Sequence, residues 1–509
     1  MYRLKHVNAA LLLGGVSALP CHAQQAQQPQ VANHKNVILI LVDDLKPNLG
    51  CYGDKTAVSP NIDQLSSTGL LFNKAFCNQA VSVASRYNLT LGARSTSTGL
   101  YNFGVEFRDV YPDAVTLPQY FMKAGYHTEA IGKIFHVGHG NTNDEASWSI
   151  PHHKEKVIEY LLPASTNRQL TREEAYFENT RMYIPNLPAN KDLPRGAAWE
   201  SPDVVDEAYG DGRVASYAIS RLRELNKKPD QPFFLAIGFA RPHLPFCVPK
   251  KYWDMYDPSK LPMPEYEKDP VNAPSMATKR GGEIDQFKPI PAGQYVFADS
   301  ITRKLIHGYY ASVSYMDAQL GRVVAELKRL NMYDNSIIVL WGDHGWHLGD
   351  HGYWTKHTNY EQANKIPLII VAPGVTTPGT KTDQLAETVD IYPTLTELAG
   401  LGKPVVPQPI DGMSLVPVLQ DPNKRVKDHA YHAYPHGKYL GRAIRTDRYR
   451  LVEWKSWEDS TDIHYELYDY KVDPLETKNV YDEQPKVAAE LKKILAKYPD
   501  GKKQANPKK

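Results

Sequence analysis

Two pairs of adjacent residues concentrate the polar chemistry of this chain. Asp43-Asp44 follows directly on the apolar run Asn36-Val-Ile-Leu-Ile-Leu-Val42, and Asp343-His344 follows a second, Ser336-Ile-Ile-Val-Leu-Trp341. Neighbouring carboxylates repel and are costly to bury, and a divalent cation removes that cost. For an isolated Asp-Asp pair, a solvated strand end or a helix N-cap is the commoner explanation. Three carboxylates and an imidazole together make a plausible hard-cation site, which shifts the balance toward a metal. A third polar cluster, Arg241-Pro-His243, follows the run Pro232-Phe-Phe-Leu-Ala-Ile-Gly238.

Something must bring these clusters together. Continuous apolar, β-branched runs suit strands buried on both faces, and Ile366-Pro-Leu-Ile-Ile-Val371 is another. Between the runs lie helical patterns, clearest from Tyr309 to Leu330, where Ala311, Tyr315, Leu320, Val323, Val324 and Leu327 share a face. Strands alternating with helices predict an α/β sandwich. In open α/β sheets ligands collect at the carboxyl ends of strands, so the three clusters are predicted to meet in one cleft.

The stretch Ala80 to Gly92 reads as the start of a helix with Ser82 near its N-cap. Residues 150–202 show no clean period and read as an insertion or loop-rich rim. Pro and Gly punctuate residues 402–411, and Asp421-Pro-Asn423 makes a second break. Beyond it, Tyr449 to Trp454 and Tyr465 to Tyr470 read as antiparallel strands and Pro485 to Tyr498 as a helix, a small α+β subdomain. The predicted organisation is a leader at 1–23, a catalytic α/β domain at 24–425 and a C-terminal subdomain with a basic tail at 426–509.

The chain has 509 residues, 42% of them hydrophobic, and a formal charge of +2. That near balance argues against a nucleic-acid partner, and the lysine-rich end Lys502 to Lys509 reads as a solvated tail. Arg3, Lys5 and His6, the apolar run Ala9 to Leu19, and Cys21-His-Ala23 have the order of a secretory signal cleaved after Ala23, implying an exported, periplasmic protein. A lipid anchor on Cys21 is the second reading, disfavoured by Pro20. The apolar run is too short to span a bilayer, and no other segment looks transmembrane. Cys51, Cys77 and Cys247 remain after cleavage; they match no zinc motif and read as buried small residues, with room for one bridge.

The segment from Ser82 also carries a pattern: Ser82, any residue, Ala84, any residue, Arg86, then Gly92. It resembles the signature of the type I sulfatases, whose first residue is converted to Cα-formylglycine. The resemblance to the iduronate-2-sulfatase branch extends over Asn36 to Leu45, Leu49 to Asp54, Ser59 to Asp63, Gly132-Lys-Ile-Phe-His136, Arg241 to Phe246, Tyr310 to Tyr315 and Gly342-Asp-His-Gly-Trp346. Glu466-Leu-Tyr-Asp469, Asp473-Pro and Glu476 resemble a segment common in sulfatase C-terminal subdomains. The resemblance implies an alkaline-phosphatase-like sandwich with a large, mostly parallel central sheet flanked by helices, plus an antiparallel C-terminal sheet. It also implies that Asp43, Asp44, Asp343 and His344, with the modified residue 82, bind one divalent cation. Calcium is expected, and the imidazole leaves room for manganese or zinc.

By the same resemblance, Arg86, Lys133 and Lys356 place positive charge around the sulfuryl oxygens. The modified residue, as its hydrate, attacks sulfur; His243 with Lys356 protonates the leaving oxygen; His136 takes the proton whose loss expels sulfate. Ser82 stands where animal relatives have cysteine, and Ala84 where proline is commoner. Serine-type sites resemble those matured by an anaerobic radical-SAM enzyme, so such an enzyme is an implied partner. The implied substrate is a sulfated oligosaccharide, foremost a 2-O-sulfated uronic acid of heparin, heparan or chondroitin/dermatan sulfate. His139, Trp346, His347, Trp354 and His357 lie near the implied site. A phosphate or phosphonate ester hydrolase of the same superfamily and an unoxidised, non-catalytic glycan binder are the rival readings.

Overall fold

The first apolar run forms β1 (Asn36–Val42), with every residue buried. The structure is a computed structural model that describes residues 35–136, 143–178, 192–291 and 293–505. The predicted leader at 1–23, Cys21 and His139 lie outside the described residues.

One sheet joins β1 to β2 (Leu70–Phe76), β3 (His127–Gly132), β4 (Phe233–Phe239), β5 (Ser336–Gly342), β6 (Lys365–Ile366), β7 (Leu368–Val371) and β8 (Thr380–Glu387). Its order is β6-β2-β7-β5-β1-β4-β3, with β8 beside β2. β1 pairs parallel with β4 and β5, β3 with β4, and β8 with β2. β7 is antiparallel to both β5 and β2, and β6 is antiparallel to β2. Six of the eight strands run in one direction, which bears out the mostly parallel expectation, and the sheet is mixed only at β6 and β7. The reversal is confined to Lys365–Val371, which Pro367 splits in two because it has no N–H to give a ladder.

Strand alternation builds a core on each face. Ile38, Ile40 and Val42 pack with Ile237, Phe239 and Leu340 on one side. Val37, Leu39 and Leu41 pack with Phe234, Val339 and Trp341 on the other. A period of two with no polar break is what burial on both faces requires, and each such side chain contributes about 1.5–3 kcal/mol. On the second face lies α1 (Ser82–Leu91), all of whose residues are buried, so its sequence has no amphipathic stripe. A short helix, α2 (Arg172–Glu178), stands in the predicted rim. The first face is covered by α3 (Gly210–Leu225) and α4 (Asp299–Arg329), the latter starting ten residues before the predicted Tyr309.

The C-terminal sheet is an antiparallel meander of β9 (Ala430–His436), β10 (Tyr439–Arg445), β11 (Tyr449–Ser456) and β12 (Ile463–Asp469). Ala488, Leu491 and Leu495 of α5 (Pro485–Leu495) pack against its Ile444, Leu451 and Leu467. Arg450, fully buried, lies between the rings of Tyr360 and Tyr468, 5.0 and 4.9 Å from their centroids, and pairs with Glu476. Glu476 also accepts the Glu361 N–H at 3.0 Å, and Glu466 accepts from Trp454 Nε1 at 2.8 Å and Tyr468 OH at 2.9 Å. The Glu466 to Glu476 motif thus clamps the subdomain to the loop that carries Lys356.

Two further expectations need correction. Cys51, Cys77 and Cys247 are all free, with no bridge among them. The basic end does not float as far as Ala505: Lys502 N–H donates to Thr96 O at 2.9 Å and Ala505 N–H to Gly99 O at 2.8 Å. Among the described residues, no helix is long and apolar enough to cross a membrane.

Candidate active site

The carboxyl ends of the central strands finish level. Asp43 N–H donates to Phe239 O at 3.2 Å, Asp343 N–H to Val42 O at 3.1 Å, and Lys133 N–H to Gly238 O at 3.0 Å. Gly132 and Gly238 permit that last approach. Gly132 has φ +76°, and a Cβ there would stand 2.2 Å from Gly238 O.

Adjacent residues of an extended chain point to opposite faces, so Asp43 and Asp44 should diverge. They converge because Asp44 takes a left-handed backbone, φ 58°. Tyr309 OH donates to Asp44 O at 2.8 Å, and Asp44 N–H donates to Asp343 Oδ1 at 3.0 Å, which hold that turn. A strained backbone of this kind costs roughly 1–3 kcal/mol and persists where surrounding contacts fix it.

Ligating atoms of Asp43, Asp44, Asp343 and His344 all lie within 4.8 Å of one another, and all four residues are buried. His344 Nδ1 is 3.0 Å from Gly345 O, which can only accept, so Nδ1 carries the proton. Nε2 then offers its lone pair toward Ser82 Oγ, 2.8 Å away. Ser82 Oγ is also 3.4 Å from Asp43 Oδ1. Val81 is the N-cap of α1, and Ser82 is its first residue, aimed at this cluster.

Burial, with Asp43 beside it, pushes the Asp343 carboxyl up to about 7. Burial and the neighbouring carboxylates raise Asp44 well above the usual range against the pull of Lys356. For Asp43, burial also acts upward, but Lys133, His243 and Arg86 hold it well below. Burial and then Lys356 keep the His344 ring neutral. Crowded carboxylates with a neutral imidazole facing inward fit a divalent cation, which would be held by Asp43, Asp44, Asp343 and His344.

Arg86 was expected to face the sulfuryl oxygens. Its Nε donates to Asp343 Oδ2 at 3.1 Å, one terminal nitrogen reaches Asp43 Oδ1 at 3.3 Å, and the other donates to Ile134 O at 3.0 Å and to Lys133 O. The guanidinium therefore braces two of the candidate ligands. Lys133 pairs with Asp43 Oδ2 and lies over the Phe177 ring.

Above the cluster opens a cavity of about 390 Å³ lined by Ser82, His136, Phe177, His243, Glu283 and Lys356, among others. Lys356 Nζ reaches Asp44 Oδ1 at 3.0 Å and Glu283 Oε2 at 2.9 Å. His243 Nε2 is 2.9 Å from Glu283 Oε1. The loop of His243 is stapled from behind: Asp211 accepts the N–H groups of Ala240 and Arg241 at 2.8 Å, and the Arg241 guanidinium caps the carbonyls of Val157, His243 and Pro245. His136 packs between Phe103 and Phe177, and its buried Nδ1 has no hydrogen-bond partner among the described residues. Burial and then Lys133 keep that ring neutral, as a proton acceptor requires.

Every residue predicted for the site and described here thus falls into one constellation. Glu283 and Glu173 were missed; both lie in aperiodic stretches with no motif around them. Trp346, His347 and Trp354 are buried behind the cavity, with His347 Nε2 3.0 Å from Thr358 Oγ1, while His357 does line it.

A family model described as sulfatase matches residues 35–401, and the model of an N-sulphoglucosamine sulphohydrolase C-terminal region matches 349–500. The chain belongs to the sulfatase family. Iduronate 2-sulfatase of Mus musculus is 33% identical over 556 aligned positions, covering 94% of this chain and 96% of that protein. BT4656, solved in complex with its substrate D-glucosamine-2-N,6-O-disulfate, shares the fold at a TM-score of 0.69 and 22% identity, over 91% of this chain and 97% of that one. The phosphonate monoester hydrolase of Agrobacterium radiobacter matches with the same TM-score, 21% identity and coverage of 91% and 95%. The fold alone does not choose between sulfate and phosphonate; the sequence relationship does. This sulfatase is a sulfuric ester hydrolase.

Proposed function

We propose that this sulfatase removes the 2-O-sulfate of a uronic acid in heparin, heparan sulfate or chondroitin/dermatan sulfate fragments, using a formylglycine made from Ser82. The observation that carries the substrate reading is the 33% identity to iduronate 2-sulfatase across nearly the whole of both chains. What supports the nucleophile reading is Ser82 at the first turn of a buried helix, 2.8 Å from His344 Nε2.

Calcium, held by Asp43, Asp44, Asp343 and His344, would supply positive charge that polarises the nucleophile and the sulfuryl oxygens. An aldehyde at residue 82 hydrates to two hydroxyls; one gives up its proton to solvent and attacks sulfur as the bond from sulfur to the alcohol oxygen breaks. Lys133 and Lys356 add charge on the cavity side of the carboxylates. His243 and Lys356, adjoining at the cavity wall, deliver a proton to the departing alcohol oxygen. His136 then takes the proton of the second hydroxyl, sulfate leaves, and the aldehyde returns.

The maturing partner is an anaerobic radical-SAM enzyme acting on the chain before it folds, because Ser82 is 1% exposed in the folded protein. Export to the periplasm by the 1–23 leader completes the reading; a mature N-terminus at Gln24 supports it, and an uncleaved leader contradicts it. The deciding experiment measures sulfate release from unsaturated 2-O-, 6-O- and N-sulfated disaccharides by protein co-produced with a serine-type maturase. Release from the 2-O-sulfated substrate is expected, and preference for 6-O- or N-sulfate would overturn the substrate. Mass spectrometry of the tryptic peptide Ala75 to Arg86 should find two hydrogens missing; an active enzyme with intact Ser82 would overturn the nucleophile.

A further inference from the structure

Among the described residues, Glu283 is the one ionised carboxylate of the cavity wall that the reaction scheme leaves unused. It stands on a 3-10 turn, Glu283–Gln286, entered through Gly281 and Gly282 at φ +67° and +115°. Its two oxygens divide between the Lys356 ammonium and the His243 ring: Oε2 lies 2.9 Å from Lys356 Nζ and Oε1 lies 2.9 Å from His243 Nε2. The second contact lacks hydrogen-bond alignment, and burial lowers the basicity of the His243 ring, so this contact can be exchanged. Glu283 is also the wettest member of the trio, its side chain 15% exposed against 4% for Lys356 and 2% for His243.

A sulfate ester in this cavity needs those same two groups, the Lys356 ammonium for a sulfuryl oxygen and both side chains near the leaving oxygen. Carboxylate and sulfate cannot both sit between them. We propose that Glu283 is a resident anion, holding the seat between Lys356 and His243 in the empty enzyme and giving it up to the substrate's sulfate group. A resident anion has one direct consequence: it competes for Lys356 with free sulfate, the dianionic product. Glu173 on the same wall is pushed up to about 8 by burial and then by Glu283, so it does not supply a second negative charge at neutral pH.

The proposal rests on the reading of His243 and Lys356 as groups that meet the ester, so its test is made independent of turnover. Calorimetric titration of the calcium-loaded, full-length protein with inorganic sulfate needs no oxidised Ser82. Glu283→Gln should bind sulfate tighter on the order of tenfold, and Glu283→Asp, too short to reach both Lys356 and His243, tighter by roughly threefold. In the oxidised enzyme, KM and the inhibition constant for sulfate should fall together in Glu283→Gln. Unchanged or weaker sulfate binding in the variants overturns the resident-anion role, and if the Gln variant does not fold, the Asp variant decides alone. Failure of the oxidised wild type to release sulfate from 2-O-sulfated uronates would sink the functional reading and leave the titration result untouched.

Discussion

Ser82 Oγ and His344 Nε2 lie 2.8 Å apart although 262 positions separate them in the chain. The ring nitrogen is free to accept because Nδ1 is committed to Gly345 O, so one histidine would serve both a bound cation and the residue at 82. Ser82→Ala should therefore abolish turnover while leaving calcium binding, read by calorimetry, within roughly tenfold of the wild type. Loss of calcium binding would mean that the side chain at 82 holds the metal site together.

Arg86→Lys keeps the charge but loses the fork that joins Asp43, Asp343 and the carbonyls of Lys133 and Ile134. Calcium affinity is expected to fall about 10–100-fold, with little change in melting temperature in the presence of excess metal. Undiminished affinity would show that the guanidinium does not position the ligands.

His136→Ala should separate the two halves of the reaction. Release of the first equivalent of alcohol should survive, while steady turnover drops by about 10²–10⁴. Intact-protein mass should then show enzyme carrying sulfate. Steady turnover at the wild-type rate would remove His136 from the step.

Arg450→Met tests the clamp between the subdomain and the Lys356 loop. It leaves Glu476 buried without its cation, which costs about 3–5 kcal/mol, measurable by urea unfolding. A change below 1 kcal/mol, on the order of a surface pair, would mean the clamp is not needed.

Glu173 should make stability depend on pH. Its folded carboxyl is pushed from the ordinary 4.5 up to about 8, so the native state binds more protons than the unfolded chain between those values. The associated stability is fully present below 4.5 and declines as pH rises through 8. In Glu173→Gln the decline across that window should be shallower; an identical slope would show that another group carries it.

Much of this site is legible in the sequence because the strands that build it are hydrophobic on both faces and end abruptly in charged residues. Asn36 to Asp44 and Ser336 to His344 announce themselves in that way. β2, β3 and β8 do not: Asn73 and Lys74 interrupt β2, Thr128 and Glu129 interrupt β3, and β8 begins Thr-Lys-Thr-Asp. Their polar residues are satisfied by particular partners, such as Glu129 by Arg221 at 2.8 Å, which no local pattern encodes. The reversal at Lys365–Val371 was hidden for the opposite reason, since an apolar run reads the same in either direction. Glu283 gave no signal because its partners, Lys356 and His243, stand on loops that follow distant strands.

The order in which these partners occur along the chain has a temporal consequence. β2, which leads into Ser82, pairs only with strands drawn from residues 365–387, and the segment after α1 receives the end of the chain at Lys502 and Ala505. At about 5–20 residues per second, the 283 positions from Ser82 to Lys365 take roughly 15–55 seconds to synthesise. For that interval the serine has no sheet to close over it, so the modifying enzyme proposed above would compete with a clock set by translation rather than with the stability of the finished fold.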